Sequence, residues 1–291
     1  MKSFEEIKSI EDAINQIVHA KCDDFVSMLP DNSVDAVITS PPYWKLRDYG
    51  FCDQFGMEET PELFVKNLCS FFDDVKRVLK PTGSMWINIG DTFNEHSGGG
   101  MDKAGNKLSI NKNLIRIKKF QKDKPRRSML MIPYRFAISM TDNHGWCCRN
   151  IVIWRKNSVM PTSAKNRLTI EYEPVFFFAH NYRDYYYNGE SAKWIKENEN
   201  DCFYENVKKE RRCIWNLSSN KASKGHPASY PIDLAYIPIM ASCPKDGIVL
   251  DPFMGSGTTA LAAKKWGCNF LGCDFNKDYC LQASKRLLET I

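Results

Sequence analysis

The chain has 291 residues, of which 43% are hydrophobic and 26% charged, with a net charge of +5. These proportions suit a globular protein of one large domain or two small ones, and they exclude global disorder, a collagen-like fibre and a small disulfide scaffold. The first ten residues carry acids and no apolar core, so they do not read as a signal peptide. No apolar run approaches the roughly 18 residues of a membrane span, and a cytoplasmic location is expected.

In chain order, Val34–Ser40 is a short β-rich run stopped by Pro41-Pro42. Thr60 is placed to cap a helix that has Pro61 in its first turn, and apolar residues from Leu63 to Leu79 recur at helical spacing until Pro81 and Gly83. Ser84–Gly90 reads as the next strand. A long segment with little periodicity then follows from Gly98. Pro133–His144 is expected to be a helix, and Arg149–Trp154 and Val175–Ala179 are expected to be strands. Asn181–Arg212 is polar, aromatic and irregular, and reads as a second insertion. Helix Tyr230–Ser242, strand Gly247–Asp251, helix Thr258–Trp266, strand Asn269–Asp274 and helix Lys277–Leu288 complete the chain. Strands alternating with helices predict an α/β fold with a mainly parallel sheet covered on both faces.

The 11 cysteines are scattered without a Cys-x-x-Cys pair. That pattern predicts reduced thiols and no metal site. Charge is concentrated in one place. Between Lys103 and Arg127 ten basic residues face one acid, so this segment carries +9 and the remainder −4. A basic segment on an acidic body points to a polyanion partner, and Lys112, Arg116, Lys118, Lys119, Arg126 and Arg127 are the candidate phosphate contacts.

Two turns carry the chemistry. In the first, Asp251-Pro252-Phe253-Met254-Gly255-Ser256-Gly257-Thr258-Thr259 joins a strand to a helix. Ligands of open α/β sheets bind at the carboxyl ends of strands. Glycines let backbone approach a ligand, and a helix start offers N–H groups to an anionic group. Asp274 ends the following strand, where a carboxylate can accept hydrogen bonds from both hydroxyls of a ribose. The pattern therefore predicts a nucleoside-containing ligand. A Walker loop is excluded because no Gly-Lys-Ser/Thr follows. Gly255-x-Gly257-x-x-Ala260 also fits a dinucleotide fingerprint, which keeps a nicotinamide-dependent oxidoreductase as an alternative.

In the second turn, Thr39-Ser40-Pro41-Pro42-Tyr43-Trp44 also follows a strand. Two prolines fix the backbone and leave carbonyls as acceptors. Ser40 adds a hydroxyl, and Tyr43 and Trp44 add aromatic faces. Acceptors beside an aromatic plate suit a flat ring that bears an amino group.

Together the two turns resemble the amino-methylating DNA methyltransferases that use S-adenosylmethionine. Ser40-Pro41-Pro42-Tyr43 is similar to their catalytic motif, and Asp251–Thr259 is similar to their cofactor motif. The order, catalytic motif first, resembles the permuted beta type. Trp154-Arg155-Lys156-Asn157 with Pro161 resembles the W-x-K-x-x-x-x-P stretch. Lys224-Gly225-His226-Pro227-Ala228 with Tyr230-Pro231 resembles the segment before the cofactor strand.

The resemblance implies a Rossmann-like methyltransferase fold. It implies Ser40, Pro41, Pro42 and Tyr43 as catalytic residues, and Asp251, Pro252, Phe253, Gly255, Ser256, Gly257, Thr258, Asp274, Lys224 and His226 at the cofactor. It also implies methylation of a base flipped out of duplex DNA. Serine at the first motif position resembles cytosine-N4 enzymes more than adenine-N6 enzymes, and the adenine reading stays as the alternative. A non-catalytic nucleic-acid-binding relative is the more distant one. Cytosine-5 chemistry needs a Pro-Cys turn, whereas Cys243-Pro244 has the reverse order. A restriction endonuclease acting separately is an expected companion.

The domain organisation expected is a catalytic half over 1–96 and a basic DNA-binding insertion over 97–128. The catalytic domain continues over 129–180, followed by a target-recognition insertion over 181–215 and a cofactor half over 216–291.

Overall fold

Short β-branched runs alternate with helices, of which that over Pro61–Val78 is strongly amphipathic and that over Ile232–Ser242 is apolar on nearly every side, and these elements bury their apolar residues against a shared sheet. The computed structural model describes residues 1–50, 53–95, 120–157, 159, 161–162, 164–193, 211–218 and 230–289. The chain begins with β1 (Lys2–Ser3), α1 (Ile10–Ala13), β2 (Ile17–His19) and α2 (Cys22–Met28). Then come β3 (Val34–Thr39), α3 (Pro61–Val78), β4 (Leu79–Asn88), α4 (Ile132–Asp142), β5 (Cys147–Lys156) and β6 (Tyr172–Ala179). The last elements are α5 (Gly189–Lys193), β7 (Ile214–Leu217), α6 (Ile232–Ser242), β8 (Ile248–Asp251), α7 (Thr258–Trp266), β9 (Asn269–Asp274) and α8 (Lys277–Glu289).

Among the described residues, nine strands form one sheet in the order β1-β2-β9-β8-β3-β4-β6-β5-β7. Strand β6 runs antiparallel to both neighbours. Every other neighbouring pair is parallel. Helices α2, α3 and α4 cover one face, around Phe25, Phe64, Phe72 and Phe136. Helices α6, α7 and α8 cover the other, around Ile237, Ala262 and Ala283. The mixed, mainly parallel sheet with helices on both faces is the architecture the sequence predicts. No helix among the described residues is long and apolar enough to cross a membrane.

Strand order fixes where a ligand belongs. From β8 the chain crosses to β9 on one side, while from β3 it crosses to β4 on the other. Because β3 and β8 are neighbours, their carboxyl ends flank the switch point where a crevice opens. Thr39–Ser40 and Asp251–Pro252 leave the sheet there.

Several boundaries differ from expectation. Helix α3, capped by Thr60 through a 3.1 Å bond from the Leu63 N–H, ends at Val78, before Pro81 and Gly83. Those two residues lie in β4, where the register against β3 shifts between Val34 and Ala36. A proline and a glycine are tolerated in such an irregular stretch of strand. The amino-terminal elements, α5 and β7 have too few residues to show a periodicity in sequence. Strand β7 spans the boundary expected at 215–216. Within the expected second insertion, Tyr185 and Tyr187 lie outside any strand. Both pack on Phe177, with ring centroids 5.5 Å and 6.0 Å away, so they cover the sheet.

Candidate active site

The turn after β8 needs glycine at two places. Gly255 has φ +51° and Gly257 has φ +78°, both in the left-handed region. A Cβ on Gly257 would also stand 2.9 Å from Ala283 Cβ of α8. The turn is held from behind by Asp251, which is 1% exposed. Its Oδ1 accepts from Thr39 Oγ1 at 2.6 Å and from the Phe253 N–H at 3.0 Å, and its Oδ2 accepts from Thr259 Oγ1 at 2.5 Å. Tyr230 shares a 2.5 Å hydrogen bond with the same Thr259 hydroxyl. Arg286 of α8 donates to the Ser256 carbonyl at 3.1 Å and to Thr258 Oγ1 at 3.0 Å, which sets a guanidinium beside the start of α7.

Asp274 ends β9, the strand next to β8. Its Oδ2 accepts from the Gly255 N–H at 2.9 Å and its Oδ1 from the Asn276 N–H at 2.8 Å. Burial pushes both carboxyls up to about 6, against the hydrogen bonds that favour their charged forms.

The turn after β3 divides its side chains. Trp44 is 1% exposed and donates its indole N–H to the Glu58 carbonyl at 3.0 Å. It is a core residue and offers no open aromatic face, contrary to the sequence expectation, because the proline-fixed turn points it inward. Tyr43 faces the crevice. Its ring rests on Gly90, where a Cβ would come within 2.5 Å of Cε2. Its hydroxyl lies 2.8 Å from Glu173 Oε2 and 3.0 Å from Asn88 Oδ1, and it accepts a long 3.4 Å bond from Ser40 Oγ. Burial and the Glu173 charge hold the phenol well above its usual range.

Both turns open into one cavity of about 370 Å³. Ser40, Pro41, Pro42 and Tyr43 line one part of it; Phe253, Gly255, Ser256, Thr258 and Asp274 line another. The sequence residues thus meet as expected, with exceptions. Asp251, Pro252 and Gly257 stand behind the wall and shape the turn. Lys224 and His226 lie outside the described residues.

The sequence reading missed further lining residues. Tyr49 packs edge-on against Phe275 and Tyr279, with centroids 5.7 Å and 6.3 Å apart, and all three face the cavity. Lys156 and Glu173 form an ion pair on the opposite side. Trp154 pairs with Glu173 across β5 and β6, which makes Lys156 a diagonal neighbour of Glu173 on the same face. The W-x-K stretch flagged Lys156. Glu173 carries no signal of its own, because it precedes the apolar run that marks its strand.

Of the basic candidates, Lys112, Arg116, Lys118 and Lys119 lie outside the described residues. Arg126 and Arg127 are exposed. They sit in a return segment held by the fully buried Asn94. Its amide donates to the Gln121 and Lys124 carbonyls at 2.9 Å each and accepts from the Gln121 N–H at 2.7 Å. Arg127 N–H donates to the Asn94 carbonyl at 2.7 Å. Both stems of the basic segment are therefore fixed to one another.

A crevice at a switch point, lined by the Ser-Pro-Pro-Tyr turn and by a glycine turn followed by a strand-end carboxylate, defines a methyltransferase-like α/β enzyme. A family model described as DNA methylase matches residues 34–285. The chain is 34% identical to the type II methyltransferase M.SmaI of Serratia marcescens, over 90% of this chain and 87% of the relative. It is also 34% identical to M.Cfr9I of Citrobacter freundii, over 89% of this chain and 83% of that one. The fold is similar to that of the PvuII DNA methyltransferase (cytosine-N4-specific), with a TM-score of 0.68 and 19% identity over 93% of this chain and 85% of that one. It is likewise similar to the M1.HpyAVI–SAM complex, with a TM-score of 0.56 and 22% identity over 93% of this chain and 98% of that one. This chain belongs to the N6/N4 DNA methylase family, whose members methylate amino groups of DNA bases. The oxidoreductase alternative is thereby set aside.

Proposed function

We propose that this DNA methylase moves a methyl group from S-adenosylmethionine to the exocyclic N4 amino group of a cytosine turned out of duplex DNA. It would serve as the modification enzyme of a restriction-modification system, with any endonuclease acting separately. The observation that carries this reading is the opening of the Ser40–Tyr43 turn and the Gly255–Asp274 wall into one cavity.

The wall fits the cofactor. Asp274 presents a carboxylate with one backbone donor on each oxygen, which leaves acceptor sites for two ribose hydroxyls. Phe253, Phe275 and Tyr49 supply flat apolar surface for a purine ring. The start of α7, with Arg286 beside it, favours the carboxylate end of the cofactor. Lys224 and His226 complete the proposed set. When bound, the cofactor supplies a methyl group on a good leaving group, so no covalent enzyme intermediate is needed.

The protein's task is alignment and charge stabilisation. Ser40 Oγ and the Pro41 carbonyl would accept the amino hydrogens and draw the nitrogen lone pair out of conjugation. The Tyr43 ring, backed by Gly90, would stack on the base. Such stacking contributes about 1–3 kcal/mol per base, comparable to the few kcal/mol needed to flip one. Lys112, Arg116, Lys118, Lys119, Arg126 and Arg127 would hold the phosphates, which positions the duplex without reading its sequence. Serine in place of an acid at position 40 supports cytosine over adenine.

The direct test is transfer of label from S-adenosylmethionine to mixed-sequence duplex DNA. Wild-type protein should label the DNA. Tyr43→Ala should lose most of that transfer while still binding the cofactor; equal transfer by Tyr43→Ala would remove the stacking role.

A further inference from the structure

Methylating a neutral amino group leaves a proton to be disposed of. The N–C bond forms as the S–C bond breaks, sulfur keeps the electron pair, and the nitrogen must shed one hydrogen as H⁺. A serine hydroxyl at position 40 cannot keep that proton. It can accept one only by passing on its own. This argument rests on the reading that Ser40 faces the reacting amino group.

The structure supplies a continuation. Ser40 Oγ donates to Tyr43 Oη at 3.4 Å, and Tyr43 Oη donates to Glu173 Oε2 at 2.8 Å. The other Glu173 oxygen is bonded to Lys156 Nζ. Among the described residues lining the cavity, the carboxylates are Glu173 and Asp274. Asp274 is turned to the Gly255 and Asn276 backbone on the far side of the switch point. Asn88, also within reach of the Tyr43 hydroxyl at 3.0 Å, is an amide and takes no proton.

We propose that Glu173 is the proton acceptor of the reaction, reached through a Ser40–Tyr43 hydroxyl relay and held in place by Lys156. As the nitrogen bonds to the methyl group, its proton moves to Ser40 Oγ. The Ser40 proton moves to Tyr43 Oη, and the Tyr43 proton moves to Glu173 Oε2. The sum is one neutral carboxyl and one neutral methylated amine. Loss of the proton restores the nitrogen lone pair to the ring, so the methylated nitrogen is acid enough for a carboxylate to take its proton. The Glu173 and Lys156 side chains are 17% and 25% exposed, which lets the carboxyl release its proton to solvent between turnovers. Tyr43 therefore has two uses, a ring for stacking and a hydroxyl for the relay. Lys156 holds Glu173 in orientation through their ion pair, and acts as a positioning residue.

The two uses separate in Tyr43→Phe, which keeps the ring and removes the hydroxyl. Single-turnover methyl transfer should fall about tenfold or more in Tyr43→Phe and in Glu173→Gln, with cofactor affinity within about twofold of wild type in both. Glu173→Asp should recover part of the loss. Formate should restore Glu173→Ala in proportion to its concentration, and should not restore Tyr43→Phe. A readout independent of turnover is the ¹⁹F resonance of 3-fluorotyrosine placed at position 43, which should shift on Glu173→Gln. Wild-type rates in Tyr43→Phe and Glu173→Gln, or an unmoved resonance, would overturn the relay and leave the methyltransferase reading intact. Wild-type protein that binds cofactor and labels no base would overturn the reading beneath it.

Discussion

Thr39 Oγ1 lies 2.6 Å from Asp251 Oδ1, and this buried hydrogen bond ties the carboxyl end of β3 to that of β8. It joins the two turns on which the site depends. Thr39→Val keeps the shape and removes the donor. The loss should cost about 1–3 kcal/mol, because a buried carboxylate is left less satisfied. The Asp251 pKa is already raised from 3.8 to about 6 by burial, so its ionisation subtracts stability as pH rises through that range. Losing a donor to the charged form raises it further. Urea denaturation should show a larger deficit for the variant at pH 7.5 than at pH 5.

Asp274 makes cofactor binding depend on pH. Accepting ribose hydroxyls requires the ionised carboxylate, and burial raises this group from 3.8 to about 6, with the Asn276 and Gly255 N–H bonds opposing the rise. Affinity should hold above pH 7 and weaken by about tenfold at pH 5, since a pH unit below the pKa leaves about a tenth ionised. Asp251 titrates in the same range, so the control is Asp274→Asn, which should bind weakly and with a much flatter profile. Calorimetric titration of S-adenosylhomocysteine at several pH values measures both.

Gly90 backs the Tyr43 ring. A methyl group there would stand 2.5 Å from Cε2 and 2.8 Å from Cδ2, and the ring is held at its far end by Glu173 and Asn88. Gly90→Ala should therefore displace the ring and lower methyl transfer by about tenfold or more. Cofactor affinity, measured by the same calorimetry, should change little.

The basic segment should show its role in salt. If it meets about six phosphates, log affinity for duplex DNA should fall against log salt with a slope near about −5. Replacing the exposed Arg126 and Arg127 with alanine should flatten that slope by about 2. Filter binding across a salt series tests this, and an unchanged slope would place both side chains off the duplex.

Much of this was legible in the sequence, for identifiable reasons. Helix Thr258–Trp266 and strand Asn269–Asp274 have the same bounds in structure as in sequence, because a glycine turn opens the first and Gly267 closes it before the second. The contents of both turns were readable because proline and glycine restrict the backbone locally. What stayed hidden depends on register. Glu173 enters the cavity because β6 pairs antiparallel with β4 and β5 in one alignment, which no local pattern specifies. Trp44 reads as an exposed plate beside Tyr43, yet it is drawn into the core under α3, where its indole finds the Glu58 carbonyl. Asp251 reads as a cofactor contact because of its motif. That its three donors also make it the anchor of the turn has no signal in the sequence.

The most direct test of the central claim is the identity of the methylated base. Purified protein would be incubated with isotope-labelled S-adenosylmethionine and mixed-sequence duplex DNA, and the DNA digested to nucleosides for mass spectrometry. Labelled N4-methylcytosine is the predicted product. Labelled N6-methyladenine in its place would contradict the cytosine assignment drawn from Ser40, and unlabelled DNA from protein that binds the cofactor would contradict DNA base methylation itself.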